Sequence, residues 1–146
     1  MKYLLLKLND EIYWFELEVD SYANRQIVLD KCNEYHISCM EDCLAEGPVN
    51  ETELLGDISY ISEQEFEDVW QLVLEKYKKQ WEQIKEKYPI GACVQGVNSY
   101  IYPQGTIIKG EDFIAVYNGN DSFYLKEYVR YTVKSYDDVN MWLVVG

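Results

Sequence analysis

Short runs of alternating apolar and polar residues fill the first sixty positions of the chain. The runs KYLLLKL and IYWFELEVD are separated by NDE, and a short turn between two β-prone runs predicts a hairpin. RQIVLD and YHISC predict two further strands, and residues 44–60 predict a connecting loop with a short strand at its end. In the second run, the predicted apolar face holds Tyr13, Phe15, Leu17 and Val19, and the mostly solvated face holds Trp14, Glu16, Glu18 and Asp20.

A helical period follows this region. Ser62 and Glu65 form a capping box, and Ile61 and Phe66 are spaced as a hydrophobic staple across it. Apolar residues then recur at steps of three and four, and Pro89 ends the pattern. The sequence therefore predicts an amphipathic helix from about Ser62 to Lys87 whose aromatic stripe is core. The stripe and its apolar neighbours are Phe66, Val69, Trp70, Val73, Leu74, Tyr77, Trp81, Ile84 and Tyr88.

The last third of the chain is β-prone and punctuated by glycines. ACVQGVNSYIY predicts one long, bent strand with Gly96 at a coil or bulge, and TIIKG, EDFIAVYN, YVRYTVKSY and NMWLVVG predict four more strands. Five short strands in a unit of this size are expected to close into a barrel, which removes the sheet edges. We expect an α+β chain with a small antiparallel sheet, one long helix and a five-stranded barrel, divided into domains at 1–88 and 89–146.

Residues 91–146 resemble the OB-fold RNA-binding domain of the ribosomal protein S-one type. The resemblance depends on Gly96 and on Gly105 nine residues later, and on the closing strands with their acidic turn. It covers 56 of the 146 residues and implies an OB-like barrel that binds RNA. The closing pattern comprises Val129, Tyr131, Val133, Tyr136, Asp137, Met141, Trp142 and Leu143.

The chain departs from this family where the family binds RNA. The family typically has aromatic residues beside the second glycine and a histidine on the third strand, whereas this chain has Gln104 and Ile107 there and no histidine in FIAVY. Other tyrosines could provide stacking surfaces for bases, although they could equally be part of the barrel wall. The candidate binding face consists of Tyr100, Tyr102, Tyr117 and Tyr131 with the cations Lys109, Lys126, Arg130 and Lys134.

Four potential zinc ligands lie within twelve positions, namely Cys32, His36, Cys39 and Cys43. No C-x-x-C pair accompanies them, and strand alternation places His36 and Cys39 on opposite faces. We therefore interpret them as ordinary thiols and a partly exposed histidine, and expect no metal and no cofactor. His36 is the sole histidine, and no nucleophile elbow, Walker loop or dinucleotide fingerprint is present, so we expect no enzyme.

Charge distinguishes the two halves of the chain. The formal net charge is -13, and residues 1–88 carry 9 Lys and Arg against 20 Asp and Glu, while residues 89–146 carry 4 against 6. A negative surface repels nucleic acid and attracts basic proteins. We therefore expect a non-catalytic binding protein that engages a basic protein partner, as small bacterial inhibitors and immunity proteins do. The alternative is an RNA-binding or ribosome-associated protein that acts through the barrel.

Location is inferred from hydropathy. No apolar run is long enough for a membrane span, and Asp10 and Glu11 follow the amino-terminal apolar run too soon for a signal peptide. We expect a cytoplasmic protein with reduced cysteines.

Overall fold

The fold was analysed in a computed structural model, which describes residues 1–39, 44, 45, 47–119 and 125–146. The chain divides into two compact units, Met1–Lys76 and Tyr77–Gly146. The described strands form two five-stranded sheets, one in each unit, so the fold is α+β as the sequence predicts. The division into units falls within the helical region, whereas the domain boundary at residue 88 stays a prediction.

The first sheet is antiparallel and has the strand order β4-β3-β2-β1-β5. Asn9 and Asp10 both have positive φ angles, as a two-residue hairpin turn with the twist of its strands requires, and Leu8 pairs with Glu11 across it. This confirms the predicted hairpin. The strands are β1 Lys2–Leu8, β2 Glu11–Leu17, β3 Ala23–Leu29, β4 Tyr35–Ile37 and β5 Asp57–Tyr60.

The burial of two residues in and after β2 differs from the prediction. Glu16, which the alternation assigns to the solvated face, is only 6% exposed, and Val19, assigned to the apolar face, is 98% exposed. Val19 lies beyond the end of β2, in a turn where the Ser21 amide donates to the Glu18 carbonyl. Glu16 shares its face with Tyr3 and Arg25 through strand pairing, and that face is covered by a helix.

The helical region begins where the sequence predicts. Ser62 accepts a hydrogen bond from the Glu65 amide at 3.1 Å, and the Glu65 carboxylate accepts one from the Ser62 amide at 2.9 Å, which confirms the capping box. Three consecutive segments follow: α1 Glu63–Leu74, a 3-10 turn Glu75–Tyr77 and α2 Lys78–Lys87. No helix among the described residues is long and apolar enough to cross a membrane.

The predicted apolar stripe is largely buried. Phe66 lies 5.4 Å from Tyr3 between ring centroids, so α1 packs on the first sheet. Val69, Leu74 and Tyr88 are half-buried rather than fully enclosed. The buried members are Phe66, Trp70, Val73, Tyr77, Trp81 and Ile84.

The second sheet closes on itself. Strand β10 pairs with β9 in the antiparallel direction and with β8 in the parallel direction, which completes a ring of pairings in the order β10-β8-β7-β6-β9. We call it the closed sheet. All five strands match predicted runs: β6 Cys93–Tyr102, β7 Gly105–Lys109, β8 Ile114–Tyr117, β9 Tyr128–Asp137 and β10 Trp142–Val145.

Two glycines lie at close backbone approaches in the closed sheet. A Cβ atom on Gly96 would lie 2.5 Å from the Lys109 carbonyl oxygen, and one on Gly105 would lie 2.5 Å from the Tyr117 carbonyl oxygen. The register of β6 against β7 shifts between Asn98 and Tyr100. Gly96 therefore permits close packing, and the irregularity lies further along the strand than the predicted bulge.

Helix α2 is fastened to the closed sheet by polar contacts. The Trp81 indole N–H donates to an Asp138 carboxylate oxygen at 2.7 Å, and Lys85 contacts the same oxygen at 3.1 Å. The indole hydrogen bond, together with Lys85, outweighs the opposing effect of burial and lowers the pKa of Asp138 below its usual value. At the other end of α2, the Tyr88 hydroxyl donates to Asp112 at 2.6 Å. These hydrogen bonds hold α2 against the turns that contain Asp112 and Asp138, which belong to the same compact unit.

Candidate functional site

The four candidate tyrosines form two stacked pairs rather than one platform. The rings of Tyr100 and Tyr102 stack with centroids 5.7 Å apart, and those of Tyr117 and Tyr131 stack at 4.6 Å. Tyr100 pairs with Ile107 of β7. Tyr117 pairs with Thr106, which directly precedes Ile107 on the same strand. Because neighbouring residues of a strand point to opposite faces, Tyr100 and Tyr117 lie on opposite faces of the closed sheet.

The exposure of these rings also limits base stacking. Tyr102 is only 7% exposed and its ring contacts that of Trp142 at 6.5 Å, so it belongs to the core. Tyr100, Tyr117 and Tyr131 are half-buried. A base can stack only on an open ring face, and each pair already covers one face of each of its rings.

The candidate cations make different contacts. The ammonium nitrogen of Lys109 lies 5.5 Å from the centre of the Tyr100 ring, and Arg130 donates to the Gln95 side-chain oxygen at 3.4 Å. Lys126 and Lys134 are exposed. Lys109 is thus the candidate cation that the structure brings to a candidate tyrosine.

The cysteine and histidine set is not assembled as a metal site in the described residues. Cys32 is exposed, Cys39 is buried, and Cys43 lies outside the residues that the structure describes. The Nε2 atom of His36 instead lies 2.8 Å from an Asp30 carboxylate oxygen. Among the described residues, the three potential ligands that come together are Asp30, Glu34 and His36.

A buried ionic network under α1 was missed by the sequence interpretation. Arg25 donates to both Glu16 carboxylate oxygens, from Nε at 2.9 Å and from Nη2 at 2.7 Å, and also to Glu67. Its guanidinium lies over the rings of Phe66 and Trp70, at 5.0 and 4.9 Å from their centres. The arrangement joins β2, β3 and α1 around one cation.

The ionisation of this network follows from its surroundings. Burial opposes the charge of Arg25, but the hydrogen bonds to Glu16 and Glu67 outweigh it and raise the arginine pKa further. Burial and the Glu16 charge raise the pKa of Tyr3 to about 12, and the neutral Tyr3 hydroxyl donates to Glu16 at 3.1 Å. The network connects β2, β3 and α1 and has a structural role, because Arg25 and Glu16 are both buried.

The acidity of the chain belongs entirely to its first compact unit. Residues 1–76 contain 5 Lys and Arg against 18 Asp and Glu, a balance of -13, while residues 77–146 contain 8 of each and are neutral. Arg25, one of the five cations, is buried, so it adds nothing to the surface. The exposed surface of the first unit is therefore strongly negative.

This negative surface has several shallow depressions, and one of them is lined by three carboxylates, more than line two others on the same unit. The hairpin end, which we define as Lys7 to Ile12 together with Asp57, lines a shallow depression. Asp57 is brought there by the pairing of β5 with β1, in which it lies opposite Lys7. Asp10 and Asp57 are exposed, and Glu11 is half-buried. Three carboxylates thus surround a depression that contains one lysine.

Comparisons with known proteins give no further guide to this surface. No protein-family model, curated protein or solved structure matches the chain.

Proposed function

We propose that this chain is a non-catalytic protein-binding module whose acidic first unit engages a basic protein. The observation that carries the proposal is the distribution of charge, since residues 1–76 hold the whole net charge of -13 and residues 77–146 hold none. Complementary charge accelerates encounter and selects against acidic partners. This mode of action matches that of inhibitors and immunity proteins which mask basic enzymes.

The hairpin end is our choice for the contact surface. It combines a concave shape with three carboxylates, Asp10, Glu11 and Asp57. Lys7, on the same rim, is exposed and limits the local negative charge. A partner that presents two or three lysine or arginine side chains on a convex surface fits this geometry.

RNA binding through an OB-like barrel is the second candidate. The closed ring of five strands and the close packing at Gly96 and Gly105 support an OB-like interpretation of the closed sheet. The tyrosines argue against RNA binding by the closed sheet, because they stack on one another in two pairs on its opposite faces. Fold alone does not specify function, so we rank this candidate second.

The proposal is tested with a charge-neutralised variant and a matched control. The test variant carries Asp10→Asn, Glu11→Gln and Asp57→Asn. Asparagine tolerates the positive φ of residue 10, and glutamine keeps the acceptor that Glu11 offers to the Tyr13 hydroxyl. The control carries Glu86→Gln, Glu111→Gln and Glu127→Gln, three exposed positions of the second unit, and changes the net charge equally.

Proteins captured by the wild-type chain from its native cell extract are identified, purified and titrated against all three chains. We expect a basic partner whose Kd weakens at least about tenfold in the test variant, equivalent to about 1.4 kcal/mol, and changes little in the control. Equal weakening in both variants would place the contact elsewhere. Capture that disappears after ribonuclease treatment would favour the RNA candidate instead.

A further inference from the structure

Three potential metal ligands converge at the hairpin between β3 and β4. One ligand atom from each of Asp30, Glu34 and His36 lies within 4.8 Å of the other two. Asp30 and His36 are half-buried, and Glu34 is exposed, so the cluster is open to solvent. We propose that this hairpin binds a zinc ion through Asp30, Glu34 and His36.

The hairpin holds the Asp30 carboxylate in one orientation. Its Oδ1 atom accepts hydrogen bonds from the Cys32 amide at 2.8 Å and the Glu34 amide at 3.0 Å. The turn is closed by the Asp30 amide, which donates to the Glu34 carbonyl at 2.9 Å. The other oxygen, Oδ2, is therefore directed to His36, which it meets at 2.8 Å. Two of the three ligands, Asp30 and His36, are thus already oriented and lose little conformational freedom when a cation binds.

The distances suit one small cation. Zinc binds imidazole nitrogen and carboxylate oxygen at about 2.0–2.2 Å, so two ligands of a tetrahedral ion lie about 3.4 Å apart. The hairpin offers ligand atoms that are 2.8 Å apart for Asp30 and His36, with all three within 4.8 Å. Small side-chain shifts bring them to the required separation, and the ion then replaces the proton shared by Nε2 and Oδ2.

The donor set selects the class of cation. Imidazole nitrogen favours zinc over magnesium or calcium, which prefer six or more oxygen ligands. Three protein ligands leave a fourth tetrahedral position for water. The surplus negative charge of residues 1–76 also attracts cations.

This site differs from the cysteine and histidine set that the sequence suggests. It shares only His36 with that set, and its other two ligands are carboxylates of the same turn. The inference is independent of the proposed protein partner, since it depends on a different part of the first unit.

The sole histidine of the chain makes the site directly observable. Zinc chloride is titrated into the full chain, and the ring protons of His36 are followed by proton NMR. The background carries Cys32→Ser, Cys43→Ser and Cys93→Ser, which removes two exposed thiols and one outside the described residues. We expect a saturable shift of the His36 signals with one zinc per chain.

Two variants and one control test the carboxylate ligands. Asp30→Asn keeps the Oδ1 acceptor that the turn needs and removes the metal-binding oxygen, and Glu34→Gln removes the second carboxylate. Each is expected to weaken zinc binding at least about tenfold, since even loss of an outer-shell partner costs 10–100-fold. Glu53→Gln, an exposed acid of the same unit, is the charge control and is expected to change nothing. The proposal is overturned if His36 does not respond below about 1 mM zinc, or if the acidic variants bind as the control does.

Discussion

Glu16 and Arg25 show that the residue pattern along a single strand does not reveal the partners of that strand's charged side chains on neighbouring strands. Alternation assigns Glu16 to a solvated face because a carboxylate is rarely buried without a partner. Its partner lies on the neighbouring strand, where Arg25 pairs with it in register, and α1 covers both. The pairing depends on which strands are adjacent and in which register, and neither can be read from the local sequence of β2.

The first prediction concerns Arg25, because its removal leaves Glu16 buried without a cation. Arg25→Met should lower the free energy of unfolding of the first unit by about 3–5 kcal/mol. Amide hydrogen exchange in β2 and β3 measures this unit by itself, which matters in a chain with two compact units. Lys7→Met is the control, since Lys7 is an exposed cation on β1 of the same unit and its replacement should cost less than about 0.5 kcal/mol.

A second variant separates lost pairing from lost packing. Combining Arg25→Met with Glu16→Leu removes both buried charges, and such replacements are often neutral or stabilising. Most of the lost stability should return. If the single variant exchanges as slowly as the wild type, the network contributes nothing to the fold.

At the level of elements, the sequence predicts the order and the bounds of most strands and the start of the helix. These features depend on local signals: period, capping residues and turn residues. The ring of pairings in the closed sheet and the packing of α1 over Glu16 and Arg25 are not local, so they follow only from the structure. The 3-10 turn at Glu75–Tyr77 also has no signal in the helical period, because the apolar spacing continues through it.

The second prediction tests the stripe of α1. Trp70 is fully buried and its ring stacks on that of Phe66 at 6.1 Å. Trp70→Ala should cost about 3–5 kcal/mol and lower the melting temperature of the first unit by more than about 10 °C. Leu72→Ala on the same helix is the control, since Leu72 is 64% exposed and should cost less than about 0.5 kcal/mol. A melting temperature that hardly moves in Trp70→Ala would contradict the assignment of Trp70 to the core.

For the whole molecule, composition predicts the sign of the charge but not the surface that presents it. The sequence assigns a balance of -11 to residues 1–88, whereas the compact unit at 1–76 carries the full -13. The sequence likewise identifies the candidate tyrosines but not the face of the closed sheet on which each one lies. The register shift between Asn98 and Tyr100 helps to place Tyr100 and Tyr117 on opposite faces, and no residue spacing reveals that shift.

The last prediction tests the RNA candidate at low salt, where phosphate contacts would strengthen RNA binding and the net negative charge of the chain opposes it. RNA binding through the closed sheet would require phosphate contacts from Lys109, Lys126, Arg130 and Lys134, which strengthen as salt is lowered. The net charge of -13 instead repels RNA most strongly when screening is weakest. We expect no measurable binding of the full chain to a mixed-sequence single-stranded RNA at about 50 mM salt, as measured by fluorescence anisotropy.

Tyrosine variants decide the case if RNA binding is observed. Loss of binding in Tyr100→Ala and Tyr117→Ala, one half-buried tyrosine from each stacked pair, would be informative only if Tyr128→Ala on β9 still binds, because Tyr128 is 76% exposed and outside both pairs. A base stacked on an aromatic ring contributes about 1–3 kcal/mol, so each lost platform should weaken binding severalfold or more. Micromolar binding that fails in the first two variants and persists in the third would make RNA the principal ligand and displace the basic-protein proposal.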